Sequence, residues 1–425
     1  MIRISGDRAI QVLRTLGGPP PVPRRASRAT LRDPETGEVL DEALVICFPG
    51  PSSFTGEDVV ELHVHGGRSV LSDLVAVLGK QEGCRLAEAG EFTRRAFEHG
   101  KMDLTEVEGL ADLIDAETAA QRRQALRQMD GALSDIYERW RQTLLQILSY
   151  FEASIDFSEE DIPQDLIEQT HRESLVLKDE IERHLADGRR GERVREGVRV
   201  AILGAPNVGK SSLLNALVRR DVAIVSEMEG TTRDIIEVQL DLGGYPVLIA
   251  DTAGVRETTD SVERQGVSRA LQRAREADIR LVLLDQRGLS AAITGLVDSH
   301  SILIANKADI WKDRPDVKIA GLTALGISAK SGEGIDVLLD VLEKAVQDRF
   351  PISGGASLTR ARHRAALVEC NVALDSAWST DGGARGPELI AEDLRLACRA
   401  LGRITGRVDV EDLLGKIFSD FCIGK

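Results

Sequence analysis

Apolar and polar positions alternate with three different rhythms along the chain. Between 196 and 345, short apolar runs alternate with helical patterns, starting near Gly191-Glu192 and ending near Lys344. Val198 to Leu203, Val247 to Ala250 and Ile302 to Ile304 are apolar almost throughout, as strands covered on both faces are. Leu213-Leu214-Asn215-Ala216-Leu217 predicts a helix after the first run. Residues 1–100 predict an α+β unit, with strands at Ile2 to Ser5, Ala43 to Phe48 and Val59 to Val64. A helix is expected from Ser69 to Leu78, after Gly66-Gly67. From Lys101 the period becomes helical. Val107, Leu110 and Ile114 form one stripe, and Ile136, Trp140, Leu144 and Leu148 continue it. Helix resumes from Leu166 to about Leu185, and again over 358–418, where Leu389, Leu394 and Leu396 are among the apolar positions. The expected architecture is a multidomain α/β and α chain. An N-terminal domain covers 1–100, a discontinuous helical domain covers 101–195 and 346–425, and an α/β domain is inserted at 196–345.

Composition narrows the picture. A chain of 425 residues suits two or three domains, and 42% hydrophobic residues supply their cores. The net charge of −15 does not advertise nucleic-acid binding, so RNA contact would use local basic patches or a partner. Cys47, Cys84, Cys370, Cys398 and Cys422 form no CxxC pair, which argues against a disulfide framework or zinc site and fits a reducing cytosol. With no signal peptide and no apolar run of membrane-spanning length, the chain is expected to be soluble and cytoplasmic, without membrane or DNA partners. His63 and His65 alternate along one strand, but with no third ligand nearby they are expected to be satisfied strand residues. The acidic break Asp156-Phe157-Ser158-Glu159-Glu160-Asp161 is expected to be a solvated turn.

The chemistry is concentrated at strand ends. Gly204-Ala205-Pro206-Asn207-Val208-Gly209-Lys210-Ser211-Ser212 has the form G-x-x-x-x-G-K-[ST] between a strand and a helix. Its glycines let backbone N–H groups curl around a polyphosphate, and the new helix aims its positive end at the same anion. Lys210 is expected to reach the β- and γ-phosphates and Ser211 to bind Mg²⁺. In Asp251-Thr252-Ala253-Gly254, Asp251 is expected to hold Mg²⁺ through water and Gly254 N–H to sense the γ-phosphate. In Asn306-Lys307-Ala308-Asp309, a carboxylate accepts hydrogen bonds from N1–H and the 2-amino group of guanine, which adenine lacks. A buried carboxylate left unpaired is costly, so this contact discriminates. Ser328-Ala329-Lys330 is read as the loop supporting the base. The loop Ser226-Glu227-Met228-Glu229-Gly230-Thr231-Thr232 is expected to meet the nucleotide, with Thr232 as a second Mg²⁺ ligand. The motifs at Gly204, Asp251, Asn306 and Ser328, four in this order and each at a strand end, predict GTP rather than ATP.

Three further features coincide with the inserted domain: Gly90-Glu91-Phe92-Thr93-Arg94-Arg95-Ala96-Phe97, then Gly100-Lys101-Met102-Asp103-Leu104, and the terminal Phe421-Cys422-Ile423-Gly424-Lys425. Over essentially its whole length the chain resembles the bacterial MnmE (TrmE) family of tRNA-modification GTPases. The resemblance implies an N-terminal folate-binding domain that also forms a homodimer, a helical domain and a Ras-like P-loop GTPase domain. It implies that, with a flavoprotein partner (MnmG, or GidA), the family adds an aminomethyl or carboxymethylaminomethyl group at C5 of the wobble uridine of certain tRNAs. The one-carbon unit is implied to come from a tetrahydrofolate derivative in the 5-formyl or methylene form. Arg3, Glu61, Lys101 and Lys425 match the family's folate-contacting positions. Cys422 matches a cysteine placed near the folate chemistry. A thiol beside a cation such as Lys425 reacts as thiolate, whereas most free cysteines are small buried residues.

The resemblance also implies a K⁺ ion where other GTPases place an arginine finger. Asn207, Ser226, the Met228 carbonyl and Thr231 match its ligands, with Ser226 standing where the family usually has Thr. The ion site is implied to complete when two GTPase domains meet face to face. Val255 and Arg256, rather than glutamine, follow Gly254. The family's water-orienting glutamate matches Glu263, with Glu257 the competing choice by proximity. One departure stands out: family members carry a Gly-rich segment and a strand before the position of Ile2. Either the start is set too far downstream or the chain is shortened, with part of the folate cradle and dimer seam missing. Two other readings compete. A ribosome-assembly GTPase would leave the helical halves and the terminal motif without a role; the other is a folate one-carbon enzyme with a regulatory GTPase domain.

Overall fold

The computed structural model describes residues 1–156, 164–220, 222–224, 237–251, 272–286, 288–289, 291–311, 317–351, 356–379, 386–408, 414–415, 417–418 and 421. They form two compact units, one of 1–111, 128–174 and 369–425, the other of 112–127 and 175–368.

In the first unit, β1 (Ile2–Ser5), β2 (Ser27–Arg32), β3 (Val39–Phe48) and β4 (Val59–His63) form an antiparallel sheet in the order β1-β4-β3-β2. The alternation along β3 and β4 explains it. Ala43, Val45, Cys47, Val60 and Leu62 enter one core with Leu13 and Leu16 of helix Ala9–Gly17 and Leu74 and Leu78 of helix Arg68–Gly79. Glu42, Leu44, Glu61 and His63 take the alternate positions. Helix Ala9–Gly17 and β2 were not singled out from sequence; β2 reads Ser-Arg-Ala-Thr-Leu-Arg, of which only Leu31 is buried. Helix Glu91–Glu98 starts at Gly90, where φ is +67°. A Cβ there would fall 2.7 Å from the Phe418 carbonyl and 3.1 Å from Phe421 Cβ, so the Gly-Glu-Phe-Thr motif and the start of the terminal motif are neighbours.

Helix Ala132–Asp156 packs along helix Pro387–Thr405. The buried stripe of the latter is Ile390, Ala391, Leu394, Ala397, Leu401 and Ile404. Leu389 and Leu396, read from sequence as apolar positions beside Leu394, are instead 54% and 47% exposed, because each lies off the 3.6-residue stripe. The Trp378 ring meets Phe151 edge-on at 5.7 Å and stacks on His171 at 4.5 Å.

In the second unit, β5 (Val198–Gly204), β6 (Glu237–Leu242), β7 (Tyr245–Asp251), β8 (Ile279–Leu284), β9 (Ser301–Ala305) and β12 (Leu325–Gly326) form one sheet, ordered β12-β9-β8-β5-β7-β6. All its pairings are parallel except β6 with β7. A separate hairpin joins β10 (Lys318–Ile319) and β11 (Leu322–Thr323). Every residue of β8 is buried. Leu281 and Leu283 enter a core with Leu213, Leu217 and Ile335, while Val282 and Leu284 enter another with Leu203 and Leu303. Such strands are apolar almost throughout because both faces are covered; the exception in β8 is Arg280, whose Nη1 donates to Asp298 Oδ1 at 2.8 Å. The carboxyl ends of the parallel strands are where doubly wound sheets bind ligands. Helix Ile335–Arg349 runs past the expected end near Lys344, and the Tyr245 hydroxyl donates to the Phe350 carbonyl at 2.7 Å. The chain is multidomain, with an α+β N-terminal domain, helical segments before and after, and a Ras-like P-loop domain set between them in sequence. No helix among the described residues is long and apolar enough to cross a membrane.

Candidate functional sites

β5 delivers its carboxyl end to the phosphate loop. At Gly204, φ is +157°, and a Cβ would fall 2.7 Å from the Leu283 carbonyl and 2.8 Å from Val208 Cγ1. At Gly209, φ is +106°, and a Cβ would fall 2.2 Å from Asn306 Nδ2. Both glycines of the motif are therefore imposed by close approach as well as by backbone conformation. Asn207 is left-handed, at φ +61°, on the exposed tip of the loop. Helix Lys210–Val218 begins immediately after, with Ser211 and Ser212 exposed in its first turn. Lys210 Nζ donates to the Gly204 carbonyl at 2.9 Å and the Ala205 carbonyl at 3.1 Å, which keeps the ammonium over the loop.

Asn306, at the end of β9, is 2% exposed and joins two loops. Its Nδ2 donates to the Val208 carbonyl at 2.8 Å, and its Oδ1 accepts from Ala329 N–H at 3.1 Å. Lys307 is left-handed, at φ +63°, and its Nζ donates to the Asn207 carbonyl at 2.8 Å. Ser328 is fully buried and its Oγ accepts from Ser331 N–H at 3.2 Å, whereas Lys330 is exposed. Trp311 Nε1 donates to the Asn306 carbonyl at 3.0 Å, a support the sequence reading missed. Asp309 lies in the one-turn helix Ala308–Ile310 and is exposed, so the penalty for a buried unpaired carboxylate applies only beneath a bound base. Asp251 is the last residue of β7, in register with Ile202 of β5. The Asp251 side chain, Thr252, Ala253, Gly254, the loop from Ser226 to Thr232, Glu257 and Glu263 lie outside the described residues. The phosphate loop fits a polyphosphate through its glycine conformations and the ammonium above it. Of the expected cation ligands, the described residues place Asn207 and Ser211 at the loop.

A second constellation lies in the N-terminal domain. Arg3 of β1 stands opposite Glu61 of β4, and its Nε and Nη2 donate to Glu61 Oε1 at 3.1 and 2.8 Å. His63 Nε2 lies 3.3 Å from Glu61 Oε2, and His65 Nδ1 lies 2.8 Å from Asp41 Oδ1. The two histidines thus have carboxylate partners, although β4 ends at His63 rather than Val64. No cluster of three His, Cys, Asp or Glu that could hold a metal occurs among the described residues. Arg3 lines a cavity of about 170 Å³ with Ser5, Phe92 and Arg95, among others. Lys101 Nζ donates to the Pro51 carbonyl at 3.0 Å. Lys425 and Cys422 lie outside the described residues.

Sequence reasoning assigned no role to the ion-pair chain along this cavity, although its members sit in or near the motif that carried the resemblance. Glu91 accepts from both ends of Arg85 at 2.8 and 2.7 Å and from Arg95 Nη2 at 2.8 Å. Arg95 Nη1 donates to Glu57 Oε2 at 2.8 Å. Burial pushes the Glu91 carboxyl up, but the hydrogen bonds from Arg85, Glu88 N–H and Arg95 outweigh it and hold it at about 2. Burial raises the thiols of Cys47, Cys84 and Cys370 and pushes Cys398 up to about 11, so no described cysteine is poised as a thiolate.

Comparison with known proteins adds an independent line. The family model for the MnmE helical domain matches residues 104–422, and that for the GTP-binding protein TrmE N-terminus matches residues 1–101. The chain is 54% identical over 428 residues to the tRNA modification GTPase MnmE of Parvibaculum lavamentivorans, covering 100% of this chain and 96% of that protein. It is 53% identical over 427 residues to the protein of the same name from Paramagnetospirillum magneticum, with the same coverage. Among solved structures, Aquifex aeolicus Era bound to GDP and AlF4⁻ is 25% identical at a TM-score of 0.28, over 41% of this chain and 66% of that one. The G domain of the T. maritima FeoB iron transporter is 23% identical at a TM-score of 0.27, over 36% of this chain and 98% of that one. With both terminal and helical models matched and relatives more than half identical along all of it, the chain belongs to the MnmE (TrmE) family of tRNA modification GTPases.

Proposed function

We propose that this chain, as a cytoplasmic homodimer, hydrolyses GTP while working with a flavoprotein partner of the MnmG (GidA) type. In this reading the pair places an aminomethyl or carboxymethylaminomethyl group at C5 of the wobble uridine of certain tRNAs. The division of labour follows the segments expected from sequence: 1–100 for folate and dimerisation, 101–195 and 346–425 as the helical domain, 196–345 for GTP. The observation that carries the reading is the junction at Asn306, which binds the phosphate loop and the Ser328-Ala329-Lys330 loop into one rigid frame.

Within that frame, backbone N–H groups from Val208 to Ser212 and the Lys210 ammonium bind phosphate oxygens. Asp309 accepts from the guanine edge, and Lys307, Ser328, Ala329 and Lys330 flank the base. Glu263 orients the attacking water, as the family's glutamate does. When bound, Mg²⁺ at Ser211 and Thr232, and K⁺ at Asn207, Ser226, Met228 and Thr231, supply positive charge against the phosphates. In the N-terminal domain Arg3, Glu61, Lys101 and Lys425 bind a tetrahydrofolate derivative, which supplies the one-carbon unit when bound, with Cys422 beside it. The Arg3–Glu61 pair suits this ligand, offering donors to an acidic or carbonyl edge and an acceptor to an amino-pterin edge within one cluster.

The test is GTP turnover in K⁺ against Na⁺ at matched ionic strength, for wild type and Glu263→Ala. Faster turnover in K⁺ is expected. The variant is expected to lose turnover by at least about 10²-fold while still binding GTP, the scale on which positioned catalytic groups act. Equal rates in the two salts would remove K⁺ and the face-to-face GTPase dimer from the mechanism and leave charge stabilisation to a protein activator.

A further inference from the structure

The Arg3 guanidinium is fixed on two sides. Two bonds to Glu61 Oε1 hold its edge. Its central carbon lies over the Phe92 ring, 5.7 Å from the centroid, within the range at which an aromatic face attracts a cation. Phe92 is 6% exposed and the Arg3 side chain 24%, so the contact is shielded from much of the water that would weaken it. Both line the same cavity.

The ring is itself anchored. It follows Glu91, which Arg85, Arg95 and the Glu88 N–H all bind, and Gly90, which is packed against Phe418 and Phe421. An ion pair alone leaves a long side chain some freedom to rotate about its stem, whereas a second contact from an aromatic ring restricts that freedom.

We propose that Phe92 is a positioning residue of the one-carbon site, acting through Arg3 to fix the position of the guanidinium that meets the folate. This rests on the folate reading given above. Glu61 holds two of the guanidinium's donors, the Phe92 ring restrains its central carbon, and the donors not bonded to Glu61 are held ready for the ligand.

Calorimetric binding of 5-formyltetrahydrofolate to the full chain tests it, in a cycle of wild type, Phe92→Leu, Arg3→Lys and the double variant, with Phe92→Tyr as the conservative control. A cooperative melt shows that each variant is folded. Phe92→Leu keeps the apolar bulk and loses the ring, and is expected to weaken binding about 3- to 10-fold, with Phe92→Tyr near wild type. In the Arg3→Lys background, which lacks the planar guanidinium, Phe92→Leu is expected to cost less than about twofold more. Wild-type affinity in Phe92→Leu, or the same loss in both backgrounds, overturns the role of Phe92 and leaves the folate reading standing. Absence of binding by wild type overturns the folate reading and this inference with it. If Phe92→Leu does not fold, Phe92→Met takes its place in the cycle.

Discussion

Asn306 uses both ends of its amide on the protein itself, giving Nδ2 to the Val208 carbonyl and taking Ala329 N–H on Oδ1. Its neighbour in space, Gly209, has no room for a Cβ, which would fall 2.2 Å from that Nδ2. Asn306→Ala is therefore expected to strand a carbonyl and an N–H in a buried place and to cost about 1–3 kcal/mol per group left unpaired. Chemical denaturation and GDP affinity measure it: the GTPase domain should lose stability, and GDP should bind at least about tenfold more weakly because the phosphate loop is no longer tied to the base loop. Unchanged GDP affinity would make Asn306 a local packing residue only. The motif itself was legible from spacing. Its use as a tie was not, because which atoms an amide pairs with depends on the approach of Gly209 and Ala329, residues 97 and 23 positions away along the chain.

Among the elements, strands and helices with a clear period were the most legible. β1 matches its expected bounds, and the expected helix at Ser69 to Leu78 is the observed Arg68–Gly79. Helix Pro387–Thr405 lies within the segment expected to be helical, but residue type alone does not say which of its leucines are buried. Leucines at 389, 394 and 396 look alike in sequence, but only Leu394 lies on the buried stripe, fully covered, while Leu396 is 47% exposed. Leu394→Ala is expected to destabilise by about 2–5 kcal/mol, and Leu396→Ala by less than about 0.5 kcal/mol, read as shifts in the urea unfolding midpoint. Similar shifts for the two would contradict the assignment of the stripe. β2 was not singled out because it carries a single buried residue, Leu31, and tertiary packing decides it. Helix Ala9–Gly17 does carry the signal, since Ala9, Val12, Leu13 and Leu16 recur at helical spacing.

For the whole molecule, the inserted P-loop domain was legible because its buried parallel strands are apolar at most positions and end in chemically distinctive loops. The arrangement of the N-terminal site was less so. Arg3 and Glu61 are 58 positions apart, and only the β1–β4 register brings them face to face. Lys101, grouped with them by motif, donates to the Pro51 carbonyl, and the ion pairs that frame the cavity come from Arg85, Glu91 and Arg95, charges that look like ordinary surface residues along the chain. Two sites on one chain, the phosphate loop of the inserted domain and the cavity beside Arg3 and Glu61, are what the proposed GTP-driven modification of tRNA requires.

Nucleoside mass spectrometry of tRNA tests that requirement most directly. The tRNA is taken from a bacterial strain that lacks its own MnmE and expresses either this chain or its Lys210→Ala variant. Wild type is expected to restore the C5-aminomethyl and carboxymethylaminomethyl uridines, and Lys210→Ala to leave wobble uridines without them. Failure of wild type to restore them, in cells where it is folded and turns over GTP, would contradict the role in wobble-uridine modification and favour a GTPase switch acting on another RNA-containing target.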